Sequence, residues 1–199
     1  LASGASASMT RLQNNGFSTG QTNSVAGNNT LTMTTAGAVT ALSGIETYVL
    51  ANGSQTITLA DAGQNVTLGS GSTGLVTIDT GNLTSVTGVF DDSNGSDTIK
   101  VLLSHTTGVN ISTLTMTDVD NIGLDTDAKG TMTVAQHAVI NSAAGTGNKV
   151  TLTDAGTVTA NSAVEEYVLA SAGSTTLTLT AAGQSVTTGG GGDTINVAA

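Results

Sequence analysis

The stretch that decides the fold is TITLADAGQNVTLGSGSTGLVTI, from Thr56 to Ile78. Three short runs of apolar residues and threonine begin at Ile57, Val66 and Leu75, and glycine, aspartate, asparagine and serine separate them. Each run starts nine residues after the one before it. A nine-residue step of strand and turn is typical of a parallel β-roll or β-helix, whose turns can bind Ca²⁺. We therefore predict an all-β fold, a parallel β-solenoid of short strands with glycine- and aspartate-rich calcium-binding turns.

The same stretch recurs near the end of the chain as TLTLTAAGQSVTTGGGGDTINV, from Thr176 to Val197. A longer comparison matches residues 28–72 with residues 148–192, apart from one inserted residue. A shorter version lies between them, where LTMTDVDNIGL resembles parts of the first copy run together. Before the repeats, Ala5 to Gln13 could form a short helix. The predicted organisation is a linker or N-terminal cap at 1–26 and a solenoid at 27–199, with copies at about 28–80 and about 148–199 and a middle unit at about 97–140.

Within each unit apolar residues alternate with threonine, as in the VTL of Val150–Leu152. Residues two apart lie on one face of a strand, so the apolar side chains are predicted to point inward and threonine outward. The turns between the strands are too short for crossover helices, so each strand is expected to pair with one a full coil earlier. For the turn aspartates Asp61 and Asp154 we predict hydrogen bonds within their own turns. A solvent-facing role is predicted for Glu46, Glu165 and Glu166.

The composition favours many narrow coils over one thick core. Only 2% of the 199 residues are aromatic and 9% are charged, and the chain has no proline and no cysteine. Proline would remove a hydrogen-bond donor from an inner strand, so its absence suits stacked strands. Missing disulfides and a missing signal peptide, in a chain that begins with leucine, suggest a fragment of a secreted bacterial protein that uses metal for stability.

The net charge of −10 limits the partners that this chain can bind. Its four cationic residues are scattered in the sequence, so we predict no binding to nucleic acid or to an anionic membrane surface. No segment approaches the roughly 18 apolar residues of a membrane-spanning helix, so no membrane insertion is expected. The acidic surplus suits Ca²⁺, which takes oxygen ligands. The cationic residues are Arg11, Lys100, Lys129 and Lys149.

Two turns carry the clearest metal-binding pattern, and both end in Gly-x-Asp-Thr-Ile. The first is NGSDTI at 94–99, with two further aspartates just before it, and the second is GGGGDTI at 189–195. Plain turn chemistry is the alternative, because aspartate and glycine are common in any tight turn. The candidate Ca²⁺ ligands here are Asp91, Asp92, Asn94, Gly95, Asp97, Gly189, Gly191 and Asp193.

A second acidic set lies within the segment DVDNIGLDTD and comprises Asp118, Asp120, Asp125 and Asp127. Alternate carboxylates on one strand face repel each other unless a cation neutralises them, which motivates a second Ca²⁺ site. The alternative is that these charges are simply solvated on an exposed face. Catalysis is not predicted: the two histidines, His105 and His137, lie in no recognisable catalytic motif. Ice binding by outward threonine rows is disfavoured, because the unequal units would break a regular array.

The segment LSGIETYVLANGSQTITLADAGQNVTLGSGS, at 42–72, resembles the repeats of RTX-type bacterial surface-layer proteins exported by type I secretion. The two Gly-x-Asp-Thr-Ile turns also resemble the GGxGxDxUx nonapeptide of RTX proteins. By this match, Asp97 and Asp193 would be carboxylate ligands, and Ile99 and Ile195 the inward aliphatic residues. No two perfect nonapeptides are adjacent, although a full site in that family needs two turns.

The resemblance implies an extracellular, Ca²⁺-dependent structural segment that self-associates into a lattice at the cell surface. Carboxylate repulsion would keep such a chain unfolded inside the cell, and Ca²⁺ outside would allow it to fold. Two alternatives remain open. One is an RTX adhesin or a module that binds a cell-surface polysaccharide. The other is the non-catalytic calcium module of a secreted polysaccharide-active enzyme.

Overall fold

The computed structural model describes residues 2–17, 27–69, 74–92 and 98–198. These residues form an all-β protein, a β-solenoid of about nine turns built from parallel sheets, which confirms the predicted fold class. Two short helices are present, α1 (Arg11–Asn15) and α2 (Val134–His137). The strands are β1 (Ser6–Met9), β2 (Thr30–Met33), β3 (Ala38–Thr40), β4 (Thr47–Leu50), β5 (Gln55–Thr58), β6 (Asn65–Leu68), β7 (Leu75–Asp79), β8 (Val89–Asp91), β9 (Thr98–Leu103), β10 (Val109–Asn110), β11 (Thr115–Thr117), β12 (Asn121–Leu124), β13 (Lys129–Met132), β14 (Ile140–Ala143), β15 (Lys149–Leu152), β16 (Thr157–Thr159), β17 (Glu166–Val168), β18 (Thr176–Leu179), β19 (Ser185–Thr187) and β20 (Thr194–Val197).

The chain divides into two compact units, Leu1–Val101 with Leu114–Asp120 and Leu102–Thr113 with Asn121–Ala199. In the first unit, one parallel sheet has the order β1-β2-β4-β6-β8-β11, and β3, β5 and β7 pair in another. In the second unit, one sheet has the order β10-β13-β15-β17-β19 and another the order β16-β18-β20, while β12 pairs with β14. Within both duplicated regions, successive strands alternate between two sheets, so each coil there has two strands.

The strand register explains the nine-residue step of the sequence. Leu31 pairs with Tyr48, and Tyr48 pairs with Val66, which are 17 and 18 residues apart. In the second copy, Val150 pairs with Tyr167 at a separation of 17 residues. One coil therefore takes about two nine-residue steps, and each strand pairs with one a full coil earlier, as the short turns require.

The core forms where the alternating pattern points inward, but two predicted positions differ. Leu75 is 47% exposed, and β7 instead buries Val76 and Ile78, because Ile78 is the residue in register with the buried Ile57. Ile195 is in register with the buried Leu177, as predicted, yet it is 36% exposed. Its strand, β20, is the outermost of its sheet in the described chain, so no further coil covers it.

The N-terminal segment differs from the helix predicted over Ala5–Gln13. Ser6–Met9 form a strand that pairs with β2, and the helix begins only at Arg11. Thr10 separates the two elements, because its side chain accepts a hydrogen bond from the backbone N–H of Gln13 in a capping box. Thr133 and Gln136 form the same capping box at the start of α2. Each copy is thus preceded by a strand and a capped one-turn helix.

Candidate metal-binding turns

The glycine-rich turn at 189–193 packs directly against the turn one coil earlier. A Cβ added at Gly189 would overlap the carbonyl oxygen of Ala170, and one at Gly191 would overlap that of Gly173. Gly191 also has a φ of +109°, which side chains other than hydrogen rarely permit. Glycine is therefore required here for close approach of the backbones, and this approach places carbonyl oxygens beside the turn.

Asp193 closes this turn with both of its carboxylate oxygens. Oδ1 accepts a hydrogen bond from the backbone N–H of Thr175 at 2.9 Å, and Oδ2 accepts one from that of Gly189 at 3.0 Å. The turn chemistry considered as the alternative is thus present. The turn also supplies one carboxylate and several carbonyl oxygens, which are the ligand types of Ca²⁺, although that ion usually takes six to eight oxygens. These residues fit a calcium site that would need water or other groups to complete it.

The other predicted turn lies partly outside the described residues. Asn94, Gly95 and Asp97 fall in the undescribed stretch 93–97. Of the aspartates before it, Asp91 ends β8, and Asp92 is only 1% exposed. Its backbone N–H donates to the carbonyl oxygen of Thr117 at 3.2 Å, which continues the pairing of β8 with β11. Ile99 is fully buried, as predicted for the aliphatic position that follows this turn.

The acidic set at 118–127 is divided between the two units. Asp118 and Asp120 belong to the first unit, and Asp125 and Asp127 to the second. Asp118 and Asp127 have positive φ values of 52° and 58°, which aspartate tolerates better than most residues in tight turns. Asp125 accepts a hydrogen bond from the backbone N–H of Thr126 at 2.8 Å. Within the described ranges, no three acidic or histidine side chains converge as a metal-binding group.

Six carboxylates instead share a different role, which the sequence analysis missed. Each accepts a hydrogen bond of 2.7–3.1 Å from a backbone N–H that lies 17 to 21 residues earlier, on the preceding coil. Asp61 and Asp154 were predicted to bond within their own turns and Glu46 and Glu165 to face solvent, and all four make this contact between coils instead. The six pairs are Asn29–Glu46, Gly44–Asp61, Ile99–Asp120, Val134–Asp154, Asn148–Glu165 and Thr175–Asp193.

A buried asparagine extends this contact in each copy. The side chain of Asn29 accepts from the N–H of Ala5 at 3.2 Å and donates to the carbonyl of Gly44 at 3.3 Å. Asn148 likewise accepts from Ala128 and donates to Ala163. Both asparagines are fully buried, so their hydrogen bonds must be made inside the protein. Each asparagine therefore joins its own coil to the coils on both sides.

A glutamine has the same four hydrogen bonds in both copies. The side-chain oxygen of Gln64 accepts from the N–H groups of Ala60 and Asp61, and its nitrogen donates to the carbonyls of Leu42 and Ile45. Gln184 repeats this pattern on the corresponding backbone groups of the second copy. The turn N–H groups that Asp61 was predicted to bind are thus bound by Gln64. Identity between the copies at these positions was the sequence signal that indicated their importance.

Two buried tyrosines complete the repeated polar set. The hydroxyl of Tyr48 accepts from the N–H of Leu42 at 2.6 Å, and that of Tyr167 accepts from the N–H of Asn161 at 2.7 Å. Burial raises the pKa of each tyrosine to about 12. Tyr167 has an additional neighbour, because His137 Nε2 lies 3.1 Å from its hydroxyl. Burial lowers the pKa of His137.

Comparison with known proteins returns no match for this chain among family models, curated proteins or solved structures. In the described part of the chain, no helix is long and apolar enough to cross a membrane. The fold is therefore established by its own geometry, a parallel β-solenoid in which conserved polar contacts between the copies join successive coils.

Proposed function

We propose that this chain is a structural module of a secreted bacterial surface protein, which folds in extracellular Ca²⁺ and self-associates at the cell surface. The observation that carries this proposal is the use of six carboxylates as acceptors between coils. Side chains that could serve chemistry in other proteins here connect one coil to the next. A role in shape and cohesion accounts for this arrangement, and it agrees with the resemblance to surface-layer repeats.

Calcium dependence follows from the charge of the chain. A net charge of −10 opposes compaction, because folding brings carboxylates closer together. In the proposed mechanism, Ca²⁺ binds at the turn 189–193, where Asp193 and nearby carbonyl oxygens would hold it. The bound ion would supply positive charge that relieves the repulsion of the carboxylates. Binding to the folded state alone would stabilise that state by mass action.

Circular dichroism of the chain with Ca²⁺ and with EGTA tests the folding mechanism. We expect the β-sheet signal in Ca²⁺ to be lost on chelation and restored when Ca²⁺ is returned. A spectrum that does not change on chelation would contradict calcium-dependent folding.

Two matched substitutions locate the ion. Asp193→Asn and Asp154→Asn each remove one negative charge from an aspartate that bonds to the preceding coil, but only Asp193 lies in the glycine-rich turn. We expect Asp193→Asn to raise the Ca²⁺ concentration at the folding midpoint about tenfold, as for the loss of a charged ligand, and Asp154→Asn to leave it within about twofold. Equal shifts in the two variants would show that the turn is not the site.

Self-association is tested separately by electron microscopy of the folded protein. We expect ordered arrays to form when Ca²⁺ is added. A folded protein that stays monomeric at every Ca²⁺ concentration would contradict the assembly part of the proposal and leave the calcium part standing.

A further inference from the structure

Two of the four cationic residues meet on the outer face of the β10-β13-β15-β17-β19 sheet. Lys129 is in register with Lys149, and Lys149 is in register with Glu166. Neighbouring strands are about 4.8 Å apart, so these side chains are direct neighbours. The lysines are scattered in the sequence, but their separation of 20 residues equals one coil. The solenoid thus assembles a basic pair that the sequence analysis did not predict.

The charges of this row are not balanced within the described chain. Lys149 Nζ lies 2.7 Å from Glu166 Oε1, the one ion pair among the described residues. Lys129 has no described carboxylate within 4.0 Å of its ammonium group. Like charges placed directly opposite each other in a sheet destabilise it. Folding alone therefore gives no reason for a second lysine in this row.

The first copy shows that the fold does not require charge at these positions. Thr30 and Thr47 are the duplicates of Lys149 and Glu166, each 119 residues earlier. Ser6 precedes them in the same row, in register with Thr30 as Lys129 is with Lys149. Small hydroxyl residues are thus sufficient for the same strand pairing. The lysine pair is a specific feature of the second copy, which indicates a role outside folding.

The lysines border a surface groove of about 310 Å³. Hydroxyl side chains accompany them along the groove, and Gly108 contributes no side chain, so the space beside Lys129 stays open. Lysine ammonium groups attract oxyanions as point charges, and threonine hydroxyls can donate or accept hydrogen bonds with neighbouring sugar hydroxyls. The hydroxyl residues that line the groove are Thr107, Thr131 and Thr151.

We propose that this groove binds a carboxylate of a uronic-acid polysaccharide, with Lys129 and Lys149 as its cationic ligands. Charge complementarity selects this class of partner. The site carries only two positive charges in a chain of net charge −10, so a densely charged polyanion would be repelled by the rest of the molecule. A saccharide with spaced carboxylates and many hydroxyls matches both the lysine pair and the threonines. This inference does not depend on the proposed calcium site.

Isothermal titration with a galacturonic acid oligomer tests the proposal, with maltohexaose as the neutral control. We expect the acidic oligomer to bind and the neutral one not to bind. Lys129→Gln should weaken binding about tenfold, the effect of losing one charged contact. Lys100→Gln removes the same charge from β9, outside the groove, and should leave binding within about twofold. Circular dichroism of each variant confirms that it is folded, so a failure of folding is recognised separately.

A gain of binding provides the complementary test. Ser6→Lys with Thr30→Lys would place the same pair on the equivalent row of the first copy, and we expect a second binding event in the titration. Equal effects of Lys129→Gln and Lys100→Gln, or equal binding of the neutral oligomer, would overturn the proposal. Calcium bridging is excluded if binding persists in EGTA under conditions where the protein remains folded.

Discussion

At the scale of the residue, the two copies differ most informatively at one buried position in their capped helices. In α1, Asn14 donates to the carbonyl of Thr40 at 2.8 Å. The equivalent position of α2 is His137, which contacts Tyr167 edge-on, with 5.6 Å between ring centroids. Because the N–H of Asn161 donates to the Tyr167 hydroxyl, the hydroxyl hydrogen is available to His137 Nε2. This arrangement requires an unprotonated Nε2, so the second copy contains a buried neutral histidine where the first contains an amide.

We expect this histidine to make the stability of the protein depend on pH. Burial lowers the pKa of His137 in the folded state below its ordinary value of 6.5. Above that value both states are neutral, so stability is unaffected. As the pH falls below 6.5, the unfolded chain binds a proton that the folded chain does not, and stability decreases until the folded pKa is reached. Urea unfolding between about pH 7.5 and about pH 5 would measure this decrease.

His137→Asn, which introduces the residue of the first copy, isolates the effect. All other titratable groups are shared, so the difference between the two pH profiles reports His137 alone. We expect the variant to lose less stability than the parent protein over the same pH range. Parallel profiles would contradict the assignment of a neutral buried histidine.

At the scale of the element, α1 protects a sheet edge. Asn15 Nδ2 donates to the carbonyl of Ala38 at 2.9 Å, and its Oδ1 accepts from the N–H of Thr40 at 3.2 Å. The side chain thus makes both hydrogen bonds that a further strand would make with β3. In the second copy, α2 lies beside β16, the first strand of its sheet. Open strand edges promote pairing with other chains, so each helix acts as an edge cap.

Asn15→Ala should expose the edge of β3. We expect a loss of about 1 kcal/mol in unfolding free energy, as for exposed hydrogen bonds, and concentration-dependent association measured by light scattering. Leu12→Ala is a matched control on the same helix, since Leu12 is 73% exposed. That variant should remain monomeric. Equal association of the two variants would indicate that helix disruption, rather than the open edge, is responsible.

How far the sequence predicts these elements depends on the range of the signal. The alternation around Ile57 and Val66 is local and repeated, so it correctly predicts parallel stacked strands. The exposure of Leu75 depends on the longer turn before β7, which shifts the register. The inter-coil contacts of Asp61 and the pairing of Lys129 with Lys149 depend on coil length, which varies along the chain. Contacts between coils therefore require the register, which composition and nine-residue spacing alone do not determine.

At the scale of the whole molecule, stability is distributed along the stack of coils. In repeat architectures each coil is supported mainly by its neighbours, so inner coils open less often than outer ones. Ile57 and Ile78, in inner coils, are fully buried, whereas all four residues of β20 are exposed. Local unfolding is therefore expected to begin at β20 and to leave the inner coils intact.

Hydrogen exchange followed by NMR can resolve this gradient within a single strand. In β20, the N–H of Thr194 donates to Thr175 and that of Ala198 to Leu179, so the alternate N–H groups of Ile195 and Val197 point away from β18. We expect these two amides to exchange at least about tenfold faster than that of Thr194, and that of Ile57 to be the slowest of the set. Uniform exchange along β20 would contradict the open edge. If self-association in Ca²⁺ adds a strand at this edge, Ile195 and Val197 should become protected, whereas association through another surface should leave them fast.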